Sequence, residues 1–172
     1  MTPRSRDGGE LDELDIEILS ALSRNGRLGV RELARMLGRP ASTISQRIRG
    51  LEKRGFIRGY TALIDHRRLG FDILALIMLN VEGGHIEDIE RMLAKEPNVR
   101  AVYDITGEFD VAVIALFRRV EELDRFIKRI LRNPYVKRSV TSIAFKAVKD
   151  EPNIDLGTAL RSAEGYPPKD KG

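Results

Sequence analysis

Two apolar stripes at helical spacing stand back to back between Val30 and Arg54 and constrain this chain more than any other stretch. The stretch reads VRELARMLGRPASTISQRIRGLEKR. Val30, Leu33, Ala34 and Leu37 line one side of a first helix, and Ile44, Ile48 and Leu51 line one side of a second. Gly38-Arg39-Pro40-Ala41 separates them: glycine suits the end of a helix and proline the first turn of the next. Two short helices packed through such stripes make a helix-turn-helix. At about 100° per residue, the far side of the second helix carries Ser42, Thr43, Gln46, Arg49, Gly50 and Lys53, with Arg47 and Arg54 on its flank. That side holds no acid. Its side chains can donate to base edges and neutralise phosphates. An ordinary helical hairpin with a solvated basic face carries the same pattern.

Charge distribution favours the nucleic-acid reading. The whole 172-residue chain has a formal net charge of only +4. Between Arg27 and Arg58, however, nine basic residues face two acids, while Asp7 to Glu17 holds six acids and no base. A local basic patch of this kind suits a polyanion. The absence of cysteine excludes disulfides, thiolate chemistry and cysteine-ligated zinc. No zinc-spaced cluster, phosphate-binding glycine loop or nucleophile–base pair occurs, so neither a metal nor a cofactor is expected. The first ten residues lack the apolar run of a signal peptide, and no run of about 18 apolar residues exists to span a membrane. The expectation is a cytoplasmic protein with no membrane partner.

Taken in order, residues 1–10 read as a flexible leader. A helix follows at about 12–24, with Leu14, Ile18, Leu19 and Leu22 on one side and acids 12, 13, 15 and 17 near its positive end. Residues 11–58 form the helix-turn-helix domain, and Arg58 to Ile64 looks extended, as a wing or a linker strand. Residues 59–70 serve as linker and hinge, with His66 at the surface. From Phe71 the pattern changes. FDILALIMLNVE reads as a buried strand over 71–82, followed by a helix at about 85–95 and strands over Val99–Ile105 and Phe109–Phe117. A helix from Val120 to Leu131 and a long strand from Tyr135 to Val148 complete the set. The order β-α-β-β-α-β over 71–149 predicts a ferredoxin-like domain, so the fold class is α+β: an N-terminal (winged) helix-turn-helix followed by a ferredoxin-like domain. Strands this apolar on both sides predict a sheet whose second face is covered by another copy, hence a homodimer. Residues 150–172 form a tail outside the repeat, with a short helix between Ile154 and Ala163 and mobile last residues.

These residues also resemble a known family. Leu11, Asp12, Asp15, Ile18 and Leu19 match its first motif, and Arg27, Glu32, Leu33 and Ala34 its second. Thr43, Ile44, Ser45, Arg47, Ile48, Leu51, Glu52, Gly55, Phe56 and Ile57 match its third, and Gly107 with Asp110 its short G-x-x-D element. Together they make the chain similar to Lrp/AsnC transcription regulators over about residues 11–149. The resemblance implies a regulator that dimerises through its C-terminal domain, assembles further into octamers in many members, and binds double-stranded promoter DNA with the third helix. It also implies an amino-acid effector bound between subunits near the turn carrying G-x-x-D. That assigns Thr106, Gly107, Glu108 and Asp110 to the effector loop, with the segment Ser139 to Ser142, Thr141 included, as a weaker candidate for its wall. A glycine turn followed by an aspartate supplies backbone N–H groups for a carboxylate and an acid for an ammonium. Two departures stand out. Pro40-Ala41 occupies the place of the family's Ser-Pro, and Gly29 that of a capping hydroxyl residue.

The expected function is therefore sequence-specific DNA binding by a non-enzymatic regulator. Gln46 and Arg49 are assigned to base edges. Ser42, Thr43 and Ser45 meet phosphates or bases near the helix start, and Arg39, Arg47, Lys53, Arg54 and Arg58 are the phosphate candidates. Two other readings share the architecture. One is a siroheme-decarboxylase-like enzyme; the other is an architectural, chromatin-like DNA binder.

Overall fold

The computed structural model describes residues 10–161. The expected leader, apart from Glu10, and the tail beyond Arg161 lie outside the described residues. The chain divides into two units. One runs up to Leu63 and takes in the segment from Asp150; the other is Ile64–Lys149.

The first unit opens with α1 (Glu13–Arg24), which starts because the Asp12 carboxylate accepts the Asp15 N–H at 2.9 Å. Next come α2 (Val30–Leu37) and α3 (Ala41–Lys53). Gly38 adopts the left-handed conformation, with φ at 62°, which turns the chain sharply between them. Neither α2 nor α3 has a side-chain cap, since Gly29 and Pro40 occupy the cap positions. Ile18, Leu33, Ile44 and Leu51 are fully buried and form the centre of a small core, with Leu11, Leu14, Leu22 and Ile48 packed around them. Arg58 to Ile64 is neither wing nor strand: it is exposed and takes no ladder hydrogen bonds. Its start is held to α3, where the Phe56 and Ile57 amides donate to the Leu51 carbonyl and the Tyr60 hydroxyl donates to Glu52 at 3.0 Å. A last helix, α6 (Leu156–Arg161), packs on α1. Of the 154–163 helix expected, Ile154 and Asp155 precede it, and the residues past Arg161 lie outside the described residues.

The second unit contains β1 (Ile73–Val81), α4 (Ile86–Leu93), β2 (Val99–Asp104), β3 (Val111–Phe117), α5 (Val120–Leu131) and β4 (Val136–Ile143). The strands pair antiparallel in the order β2-β3-β1-β4, the ferredoxin-like arrangement. Ala75, Ile77, Leu79 and Val81 of β1 and Val111, Val113, Ala115 and Phe117 of β3 point to the helix side. There they meet Ile89, Leu93, Leu123, Phe126 and Ile130 in one buried core. The alternate residues Leu74, Leu76, Met78, Ala112, Ile114 and Leu116, with Val140 of β4, line the opposite face. Among the described residues nothing covers that face fully, and Leu76 remains 42% exposed.

Two strand boundaries differ from expectation. β4 stops at Ile143, not Val148: Ile143 pairs with Ala75, and the Ala144 amide makes the last bond to Leu74, although β1 runs on to Ile73. Beyond it, Phe145 is fully exposed. β3 starts at Val111 because Phe109 and Asp110 belong to the turn.

Candidate nucleic-acid interface and effector turn

The basic residues of α3 fall into two groups. Ser42, Gln46, Arg49 and Lys53 are exposed on the side away from the core, and Arg39 and Arg58 are exposed at its two ends. Thr43 and Ser45 are half-buried near the helix start. The one acid of α3, Glu52, lies to the side and accepts from Tyr60. Partial burial of the Tyr60 hydroxyl, with its bond to Glu52, pushes that hydroxyl above its ordinary pKa, so it stays a donor.

Arg47 and Arg54 differ from this exposed set by pairing with acids of α1. Asp15 of α1 is 2% exposed and lies between them. One of its oxygens takes Arg47 Nη1 at 3.2 Å, and the other takes Arg54 Nη1 at 3.4 Å. Arg47 also pairs with the capping Asp12. That bond and the charges of Asp12 and Asp15 raise the Arg47 pKa further. Arg54 donates to the Glu10 carbonyl as well and lies 4.7 Å over the Phe56 ring. Both guanidiniums thus help fix α3 to α1, since a buried carboxylate demands paired partners, while each stays partly solvated. The acids at 12 and 15 were legible as helix-start residues, but their partners 32 and 39 positions away were not.

Sequence reasoning also left Arg31 and Arg35 without a site. They are exposed one turn apart on α2, with Arg27 and Arg39 just beyond its ends. The four-residue spacing was the available signal, because it places successive side chains on one side of a helix.

In the second unit, Thr106, Gly107 and Glu108 form an exposed turn between β2 and β3. Gly107 has φ at 121°, which favours glycine there. Asp110 is half-buried and holds the turn to β1: its carboxylate accepts the Val81 N–H at 2.8 Å and its amide donates to the Leu79 carbonyl at 3.0 Å. Ser139 and Thr141, expected at the wall of the site, are opposite Leu79 and Ile77 and so lie on the helix side of the sheet. The Ser139 hydroxyl is buried without a hydrogen-bond partner among the described residues. Strand alternation brings their neighbour Arg138 to the turn instead. It bonds Glu108 at 2.9 Å and lies 5.4 Å from the Phe109 ring. Asn80 donates to the Glu108 carbonyl from the adjacent strand. Arg138 and Asn80 are paired across β1 and β4, so the one-residue alternation of a strand was the signal for both.

The remaining candidates for chemistry are sparse. His66 is exposed, and the half-buried His85 stacks on Tyr135 with ring centroids 3.4 Å apart. Among the described residues, no group of three potential metal ligands comes together. No described helix is long and apolar enough to cross a membrane.

A helix-turn-helix with a basic exposed side, followed by a ferredoxin-like domain with a built turn at one sheet end, defines a DNA-binding regulator with a separate sensing domain. Comparison with known proteins agrees. Residues 11–58 match a winged helix-turn-helix DNA-binding domain and residues 74–154 the Lrp/AsnC ligand-binding domain. An uncharacterized HTH-type transcriptional regulator of Pyrococcus furiosus is 40% identical over 142 residues, 83% of this chain and 96% of that protein. A transcriptional regulator of Neisseria meningitidis, solved as its L-Met complex, superposes with a TM-score of 0.82 at 28% identity, covering 88% of this chain and all of the other. Bacillus subtilis LrpC gives 0.75 at 26% identity, over 83% of this chain and all of that one. The chain belongs to the Lrp/AsnC family and is a transcriptional regulator. The family and its relatives set aside the decarboxylase-like reading.

Proposed function

We propose that the chain binds a two-fold promoter site in a sequence-specific manner, dimerises through the open face of its sheet, and responds to an amino acid at the 106–110 turn. The observation carrying this reading is the division of labour on α3. Arg47 and Arg54 lock the helix to α1, leaving Gln46 and Arg49 exposed as a donor pair suited to adenine and guanine edges. Ser42, Thr43 and Ser45 sit near the start of the helix, where phosphates are favoured. Lys53, Arg39 and Arg58 supply phosphate contacts from the ends of α3, joined by Arg31 and Arg35 of α2.

Dimerisation follows from the open face, since an apolar sheet surface of this extent is stable only when covered. A second copy is the partner always available to the chain, and two-fold pairing makes the face self-complementary. The effector reading rests on the turn. Arg138 can take a carboxylate, Glu108 an ammonium, and the Thr106–Gly107 backbone further hydrogen bonds. Asp110 supports the turn through Val81 and contributes its second oxygen. The L-Met complex of the Neisseria regulator supports an amino acid as the ligand class.

The test is fluorescence anisotropy on the DNA upstream of the chain's own gene against scrambled DNA, with and without a pool of amino acids. Selective binding shifted by the pool is expected. Equal binding to both DNAs supports the architectural reading instead, and no binding at about 100 mM salt, where phosphate contacts persist, overturns DNA binding.

A further inference from the structure

The outer side of α1 should face water, yet it does not. Ile16, Ser20 and Ser23 follow at i, i+4 and i+7, roughly opposite the Leu14, Ile18 and Leu22 stripe that serves the core. Ile16 is 6% exposed and Ser20 7%, although neither belongs to the helix-turn-helix core. The Ser20 hydroxyl has no hydrogen-bond partner among the described residues. The element packed on α1 beyond that core is α6. Asn153 donates from its side chain to the Ser23 carbonyl at 3.3 Å. Asp155 then opens α6, accepting the Thr158 hydroxyl at 2.8 Å and its amide at 3.3 Å. Gly157 is buried, and Leu156 and Leu160, one turn apart, are half-buried.

α6 also lies beyond both matched domains, which end at 58 and 154. The chain leaves the first unit through the exposed, irregular residues around 58–64 and re-enters it after Lys149. We infer that the C-terminal segment is a strap that seats on the outer side of α1 and gives the DNA-binding unit a second covalent tether to the sensing domain. A unit held by one irregular linker reorients freely. One held at both its ends has a restricted set of orientations, so a dimer presents its two recognition helices at a narrower range of separations.

The test uses the full-length chain and its L156D/L160D variant, which releases α6 without altering α1, α3 or the linker. The first readout is ¹⁵N relaxation of residues 13–53, and it does not depend on DNA. Release of the strap is expected to shorten the effective correlation time of the DNA-binding unit; unchanged relaxation overturns the inference. The second readout rests on the DNA-binding reading. Two half-sites are offered at their selected spacing and with five base pairs inserted, half a helical turn. The full chain should prefer the selected spacing about tenfold or more. The variant should lose most of that preference while binding a single half-site unchanged. A preference that survives in the variant overturns the tether. If the full chain binds none of these DNAs, the regulator reading fails on its own, and the relaxation result still decides the strap. An Asn153→Ala variant, which loses only the bond to Ser23, should show a smaller change in relaxation of the same sign.

Discussion

At the scale of single residues, the arginines of α3 separate by what they touch. Arg49→Ala should cost roughly 1–3 kcal/mol at its cognate base and relax the preference at that position in a binding-site selection. Lys53→Ala should weaken all sequences alike and flatten the dependence of log affinity on log salt by about one. Arg47→Ala should act on stability instead, lowering the thermal midpoint through the loss of charged hydrogen bonds worth about 1.5–3 kcal/mol. Its partner Asp15 is buried while Arg47 and Arg54 stay partly solvated. Equal base-preference loss in Arg47→Ala and Arg49→Ala would overturn that division. Helical periodicity made Gln46, Arg49 and Lys53 legible as a polar face from the sequence. It could not separate Arg47 and Arg54 from them, because pairing to Asp15 depends on how two helices cross and not on spacing within one.

The elements show the same limit. The β-α-β-β-α-β order was legible because buried strands and amphipathic helices leave different periods in the sequence. The end of β4 was not, since the apolar residues Phe145 and Val148 continue its pattern past Ile143, the last paired residue, yet stand exposed. The resemblance implies Ser139 and Thr141 at the effector wall, whereas strand alternation turns Arg138, not these, to the 106–110 turn. Accordingly, Arg138→Ala should abolish the response of DNA binding to amino acids while leaving affinity without them unchanged, as read by anisotropy. The α6 strap carries its own signature in pH. The Thr158 hydroxyl and amide, with Arg24 nearby, hold the Asp155 carboxyl below the usual carboxylate range. A lowered folded value stabilises α6 above about pH 4, and the stabilisation is lost as pH falls through that lowered value. Relaxation of residues 13–53 should therefore stay constant from pH 7 to about 5 and change only in stronger acid. In Asp155→Asn that step should be absent.

For the whole molecule, the decisive surface is the open face of the sheet. Charge placed there, as in the double variant Leu76→Asp with Ile114→Asp, should leave the helix-side core intact, because the two side chains alternate away from it. Sedimentation velocity should find the variant monomeric where the parent is dimeric. Its affinity for a paired site should fall towards that for a single half-site, since linkage of two readers is what raises the apparent affinity. A variant that stays dimeric would place the interface elsewhere. The sequence pointed to this face through strands apolar on both sides. It gave no sign of the strap, because Ile16, Ser20 and Ser23 read as the wet side of an amphipathic helix until α6 is set against them.

The carboxylate of Asp15 has a consequence for how such regulators change. Because one buried acid answers two arginines, exchanging Asp15 for a neutral residue loosens both contacts at once, and losing both arginines would leave a buried charge unpaired. Asp15, Arg47 and Arg54 should therefore vary together or not at all among relatives, while Gln46 and Arg49 drift freely with the promoter they read. A recognition helix transplanted from this protein would lose its footing unless the first helix travelled with it, so the inheritable unit of DNA specificity here is a pair of helices, not one.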